Sequence, residues 1–72
     1  MVSQVIKARF GQRLKALRKK RGLTQAELAD LPGLDRSYLV EIEQGKRNPC
    51  LINLAIIAKG LKISLSQMLS RI

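Results

Sequence analysis

Most of the charged side chains in this sequence are cations. Fourteen Lys and Arg stand against five Asp and Glu, a net charge of +9 over 72 residues. Eight of the cations, Lys7, Arg9, Arg13, Lys15, Arg18, Lys19, Lys20 and Arg21, fall in the first 22 residues with no acid among them. All five acids, Glu27, Asp30, Asp35, Glu41 and Glu43, lie between residues 23 and 45 beside a single base, Arg36. Lys46, Arg47, Lys59, Lys62 and Arg71 complete the set. Such an excess destabilises a compact chain through self-repulsion, so it is expected to serve contact with a polyanion. Nucleic acid is the first expectation and an anionic membrane surface a distant second.

The same inventory speaks against other chemistry. There is no His and one Cys, Cys50. No internal disulfide framework can form, and a zinc site has too few soft ligands. The sequence contains no Gly-rich phosphate loop and is too short for a large substrate cleft, so an enzyme is not expected, nor a metal, a cofactor or a small-molecule ligand. No apolar stretch approaches the ~20 residues of a membrane span. The longest uninterrupted apolar run is Leu54 to Ala58. MVSQVIKARF lacks a signal-peptide pattern, and the expected setting is the reducing bacterial cytoplasm, at the nucleoid.

Positioning these charges falls to helices whose boundaries are written in the sequence. Ile6, Phe10, Leu14 and Leu17 form an apolar stripe on a first helix from about residue 4 to 20, closed by Gly22. Thr24-Gln25-Ala26-Glu27 is a capping box, with Leu23 and Leu28 as its hydrophobic staple. That second helix should end near Leu31, because the residue before Pro32 avoids the helical region. Asp35 caps a third helix, stapled by Leu34 and Leu39 and stopped by Gly45. Asn48-Pro49 marks a loop. A fourth helix is expected from about Leu51 to Lys59, ended by Gly60. Ser64-Leu65-Ser66-Gln67 is a second capping box, stapled by Ile63 and Met68, and opens a fifth. No segment alternates with period two. The expectation is an all-α, compact five-helix domain over residues 1–72.

Within it, residues 24–44 meet the demands of a helix-turn-helix. Ala29 is small where two helices must cross. Gly33 is free to take positive φ in the turn, and Leu28, Leu34, Leu39 and Ile42 hold the pair to the rest. At this point the chain resembles a known family. GQRLKALRKKRGLTQAELADLPGLDRSYLVEIEQGKRNP is similar to the helix-turn-helix domain of the Cro/phage-repressor (Xre) family, a lambda-repressor-like fold. NLAIIAKGLKISLSQML resembles that domain's last two helices. The phrases LADLPGLDRSYL and GKRNPCLINL look most like the small controller proteins of restriction–modification systems, which dimerise and regulate their own operon. Cys50 stands where the family usually has Ser or Thr, and Pro32 where a small residue is more usual.

The resemblance implies that helix 3 lies in the DNA major groove with helix 2 across it. Its outward residues Arg36, Ser37, Val40 and Glu41 then face the bases. Arg36 suits bidentate contact with guanine, the alternative being a phosphate. Glu41 either accepts from a cytosine amino group or points aside. Gln25, Tyr38, Gln44, Lys46, Arg47 and Asn48 would contact the backbone, Tyr38 equally well being a packing residue. Asp35 is a cap before it is a contact. In the family, residues matching Arg18 and Glu43 form a structural ion pair between helix 1 and the end of helix 3.

Helices 4 and 5, about residues 51–71, carry more apolar surface than so short a chain can cover. Ile56, Ile57, Leu61, Ile63, Leu65, Met68 and Leu69 are therefore candidates for a twofold interface, unless helix 5 simply covers the second face of helix 4. The expected function is a homodimeric transcription regulator on a pseudo-palindromic, double-stranded operator. The alternative is an antitoxin-like module whose helix 4–5 surface holds a protein partner and which binds DNA secondarily.

Overall fold

The computed structural model describes residues 2–30, 34–70 and 72. Among them lie five α-helices in chain order: α1 Val2–Lys20, α2 Gln25–Ala29, α3 Arg36–Glu43, α4 Leu51–Leu61 and α5 Leu65–Leu69. The expected turn at Pro32 and Gly33 lies outside the described residues.

The helix ends follow the capping chemistry of their residues. Thr24 Oγ1 accepts from the Glu27 N–H at 3.1 Å, and Glu27 Oε1 accepts from the Thr24 N–H at 2.8 Å. Ser64 and Gln67 repeat that exchange at α5, and Asp35 Oδ2 accepts from the Tyr38 N–H at α3. α1 and α3 both end in a left-handed glycine, Gly22 at φ 72° and Gly45 at φ 77°. At each, two backbone N–H groups turn back onto the last helical carbonyls, as in a Schellman closure.

α1 starts two residues earlier than expected, at Val2, and two C-terminal boundaries also depart from expectation. α2 stops at Ala29, with the Asp30 N–H closing on the Glu27 carbonyl at 3.3 Å, so it is about half a turn shorter than the proline alone predicts. α4 runs through Gly60 to Leu61, and Lys62 takes the left-handed position at φ 59°. The extra residues deliver Leu61, fully buried, into the core. Glycine inside the last turn costs less than leaving that leucine in water. Cys50, at the N-cap of α4, makes no side-chain capping bond.

One core joins all five helices: Phe10 and Leu14 from α1, Leu28 and Ala29 from α2, Leu39 and Ile42 from α3, Ile57, Ala58 and Leu61 from α4, and Met68 from α5, together with Leu34. This placement corrects the expectation for the interface. Ile57, Leu61 and Met68 have no exposed surface within a single chain, so they have none to offer a second copy. Ile56, Ile63, Leu65 and Leu69 are packed against the core while remaining partly exposed. At about 100° per residue, Ile57, Ala58 and Leu61 share the inner face of α4, and Leu51, Ile52, Ala55 and Ile56 share the outer one. Leu51 and Ile52 are 70% and 72% exposed. Ile6, the first member of the α1 stripe, is also half exposed, beside Asn48 and Pro49.

Gly11 permits the closest helix approach. A Cβ there would lie 2.6 Å from the Ile42 carbonyl oxygen and 2.7 Å from that of Glu43. The C-terminal end of α3 therefore sits directly on α1. Gly45, just beyond, would likewise meet the Ala8 Cα at 3.0 Å.

Candidate nucleic-acid interface

α3 is pinned on its inner side by Leu39 and Ile42, both fully buried. Its opposite side carries the residues expected to face DNA. Arg36 and Ser37 are exposed, and Val40 and Glu41 are half-buried. Among the described residues, Arg36 and Ser37 enter no side-chain hydrogen bond, which leaves the guanidinium fork of Arg36 open for two parallel bonds to one acceptor edge.

Past the end of α3 the chain continues as an exposed polar strip: Gln44, Lys46, Arg47 and Asn48. Arg47 is held over α3 by two contacts. Its Nε donates to Glu41 Oε1 at 3.0 Å, and its guanidinium lies 5.5 Å from the centre of the Tyr38 ring. Glu41 thus points aside, toward the loop. Tyr38 is half-buried against the core, and its hydroxyl accepts from Asn53 Nδ2 of α4 at 3.2 Å. It is a packing residue whose hydroxyl proton remains available.

Behind α3 lies an ionic hub. Arg18 Nε and Nη2 donate to the two oxygens of Glu43 at 2.7 and 3.1 Å, and Nη1 donates to the Leu23 carbonyl at 2.7 Å. Gln25 Nε2 adds a fourth bond, to Glu43 Oε1 at 3.1 Å. The side chains of Arg18 and Glu43 are only 8% and 3% exposed. One guanidinium therefore ties α1, the Gly22 turn and α3 together, with α2 joined through Gln25. The amide nitrogen expected on a phosphate is turned inward; the Gln25 carbonyl oxygen and backbone N–H remain outside this hub.

The N-terminal capping of α2 also sets an acid's charge. The Thr24 backbone N–H, and secondarily its hydroxyl, hold the exposed Glu27 carboxyl below its ordinary value of 4.5. Its negative charge, next to the positive end of α2, stabilises the cap across the neutral range.

Two contributors carried little sequence signal. Gly11 looks like an ordinary small residue in a helix; its role emerges only when α3 is laid against it. Asn53 is the single polar residue between Leu51 and Ala58, and that isolation was the available clue to its bond with Tyr38.

The comparisons with known proteins agree with this geometry. A family model described as helix-turn-helix matches residues 14–68. The chain is 52% identical over 68 residues to control protein C.MunI of Mycoplasma sp, covering 93% of this chain and 92% of that protein. Among solved structures, the restriction–modification controller protein C.AhdI of Aeromonas hydrophila superposes with a TM-score of 0.83 at 45% identity, covering 86% of this chain and 94% of the other. The restriction–modification controller protein C.Esp1396I, solved as a tetramer with its natural 35 base-pair operator, gives a TM-score of 0.79 at 34% identity, covering 89% and 88%. The chain belongs to the helix-turn-helix (Xre) family of DNA-binding regulators.

Proposed function

We propose that this chain acts as a homodimeric operator-binding regulator of the restriction–modification controller type. The observation that carries it is α3 itself, immobilised from behind by Leu39, Ile42 and the Arg18–Glu43 hub while Arg36 and Ser37 stand free on its outer side. In this reading Arg36 and Ser37 address base edges, with Val40 offering apolar contact to a thymine methyl. Lys46, Arg47, Gln44 and Asn48 follow the phosphates, joined by the Tyr38 hydroxyl and the Gln25 N–H at the start of α2. Arg47 exchanges Glu41 for a phosphate on binding. An exposed pair of this kind contributes only about 0–1 kcal/mol, so the exchange is cheap.

The dimer contact is assigned to the outer face of α4, Leu51, Ile52 and Ile56, with the partly exposed Ile63, Leu65 and Leu69 beside it. Two copies joined about a twofold axis would set their reading helices on successive turns of a pseudo-palindrome. The tetramer of C.Esp1396I on its operator supports assembly on DNA as the working state.

Selection of bound duplexes from a random pool, repeated with variants, tests this reading. Arg36→Ala is expected to relax preference at one position in each half-site by about 1–3 kcal/mol, whereas Lys46→Ala should weaken all sequences alike and lower the salt slope by about 0.9. An unchanged preferred sequence for Arg36→Ala would remove α3 from the role given to it. Light scattering on the protein alone completes the test: Ile52→Glu should convert a dimer to a monomer. A wild-type monomer would instead favour a heteromeric partner on the same face.

A further inference from the structure

The side of α1 turned away from α3 carries a second cationic feature, separate from the α3 surface. With residues about 100° apart around a helix, Arg13, Leu17 and Lys20 project from the side opposite Gly11 and Arg18. There α1 faces α5 and the end of α4 across a concavity of about 400 Å³. Arg13, Lys20 and Arg21 line it together with apolar Leu17, Leu61 and Ile63, and no acid lines it among the described residues. The volume falls in the range of small-ligand sites, about 300–1,000 Å³.

The two guanidinium groups are fixed in place by neutral acceptors. Arg13 Nη2 donates to the Gln67 carbonyl at 2.8 Å and to Ser70 Oγ at 3.1 Å, and Arg21 Nη2 donates to the Lys62 carbonyl at 3.2 Å. Such anchors orient the groups and leave their charge uncompensated. Arg13 Nε is in addition buried with no hydrogen-bond partner among the described residues. Three like charges brought to one concavity without a counter-charge are a standing cost that a bound anion would relieve.

We propose that this concavity is a binding site for a small organic phosphate, a dianion with an apolar portion. Three cations match two negative charges and three acceptor oxygens, with Arg13 Nη1, the Arg21 guanidinium and Lys20 Nζ as the donors left for phosphate. Leu17, Leu61 and Ile63 supply a surface for the apolar portion. The site lies across α1 from the hub that holds α3, so a small molecule can occupy it while α3 engages DNA.

Phenyl phosphate is a suitable probe, titrated into the full chain at constant ionic strength and followed by amide chemical shifts. Saturable one-to-one binding is expected, with shifts concentrated at residues 13, 17, 20, 21, 63 and 67. Inorganic phosphate should bind at least threefold more weakly, because it lacks the apolar portion. Lys20→Gln should weaken phenyl phosphate at least tenfold; this exposed side chain makes no hydrogen bond among the described residues, so folding is unaffected. Arg36→Ala should leave binding unchanged. Non-saturating shifts, equal affinity in Lys20→Gln, or shifts centred on residues 36–48 would each overturn the assignment. So would a DNA duplex that perturbs residues 13–21 as strongly as it perturbs α3, since the surface would then be a nucleic-acid contact.

Discussion

Replacing Glu43 by Gln removes one charge and almost no volume, and it asks whether Arg18 serves the fold or the DNA. In the native chain Arg18 directs three bonds into the hub, and the two side chains of the pair are 8% and 3% exposed. Glu43→Gln leaves a buried guanidinium without a counter-charge, a change that costs about 3–5 kcal/mol. A domain of 72 residues has about 4–11 kcal/mol of total stability at ~0.05–0.15 kcal/mol per residue. The expected fall in Tm is roughly 12–40 °C, since ~1 kcal/mol corresponds to ~4–8 °C at this size. Thermal and urea unfolding followed by circular dichroism measure it. The double variant Arg18→Met with Glu43→Leu should recover most of the loss, because well-packed apolar residues commonly replace a buried pair at little cost. At a temperature where it is folded, its DNA affinity should show the wild-type dependence on salt. A Tm shift below about 5 °C for Glu43→Gln would show the pair to be effectively solvated. A loss of about 0.9 from the salt slope of the double variant would place Arg18 on a phosphate. Either result would refute the reasoning.

Gly11→Ala should destabilise the domain by about 1–2 kcal/mol, because overpacking against the backbone of α3 outweighs the ~0.5–1 kcal/mol gained from helix propensity; urea unfolding measures the change, and stabilisation would mean that α1 and α3 separate freely. Lys62→Gly should raise stability by about 0.5–1 kcal/mol, relieving a left-handed lysine against the larger chain entropy of glycine, as checked by Tm. The Glu27 carboxyl should titrate below 4.5 by NMR. Its folded-state pKa lies beneath its unfolded value, so its contribution is present above the unfolded pKa and is lost as pH falls through the folded one. Glu27→Ala should accordingly remove part of the acid-side dependence of stability.

What the sequence disclosed, and what it withheld, divides along the range of the interactions. Capping boxes at Thr24 and Ser64, the Asp35 cap and the left-handed Gly22 and Gly45 are satisfied within five residues, so the local pattern was enough to read them. The Arg18–Glu43 partnership spans 25 positions and came through family resemblance; charge alone would have put Arg18 on DNA. Gly60 misled because the same residue type is tolerated inside a helix when the next side chain, Leu61, must reach the core. Periodicity identified α4 and α5 as oversupplied with apolar residues. It could not assign Ile57, Leu61 and Met68 to the core and Leu51 and Ile52 to the surface, a division set by where α2 and α5 come to rest against α4. The outward residues of α3 were placed by the cap at Asp35 and the inward pair Leu39 and Ile42, whereas the ties of Gln25 to Glu43 and of Tyr38 to Asn53 depend on neighbours distant in sequence.

The acids resolve the apparent contradiction of a DNA-reading unit that contains every negative charge in the chain. Glu43 is neutralised by Arg18 inside the hub, and Glu41 is paired with Arg47 beside the groove-facing side. Glu27 and Asp35 accept backbone N–H groups at helix N-termini, where a negative charge is favoured. Four of the five acids therefore have structural partners that limit their reach toward a phosphate. The cations are distributed differently: among the described residues only Arg18 and Arg47 enter ion pairs, and Arg13 and Arg21 rest on neutral acceptors. Segregation of this kind lets one small domain be strongly attracted to DNA at long range while α3 itself stays nearly neutral. In the proposed reading, attraction and discrimination are altered separately, the first by Lys46→Ala and the second by Arg36→Ala.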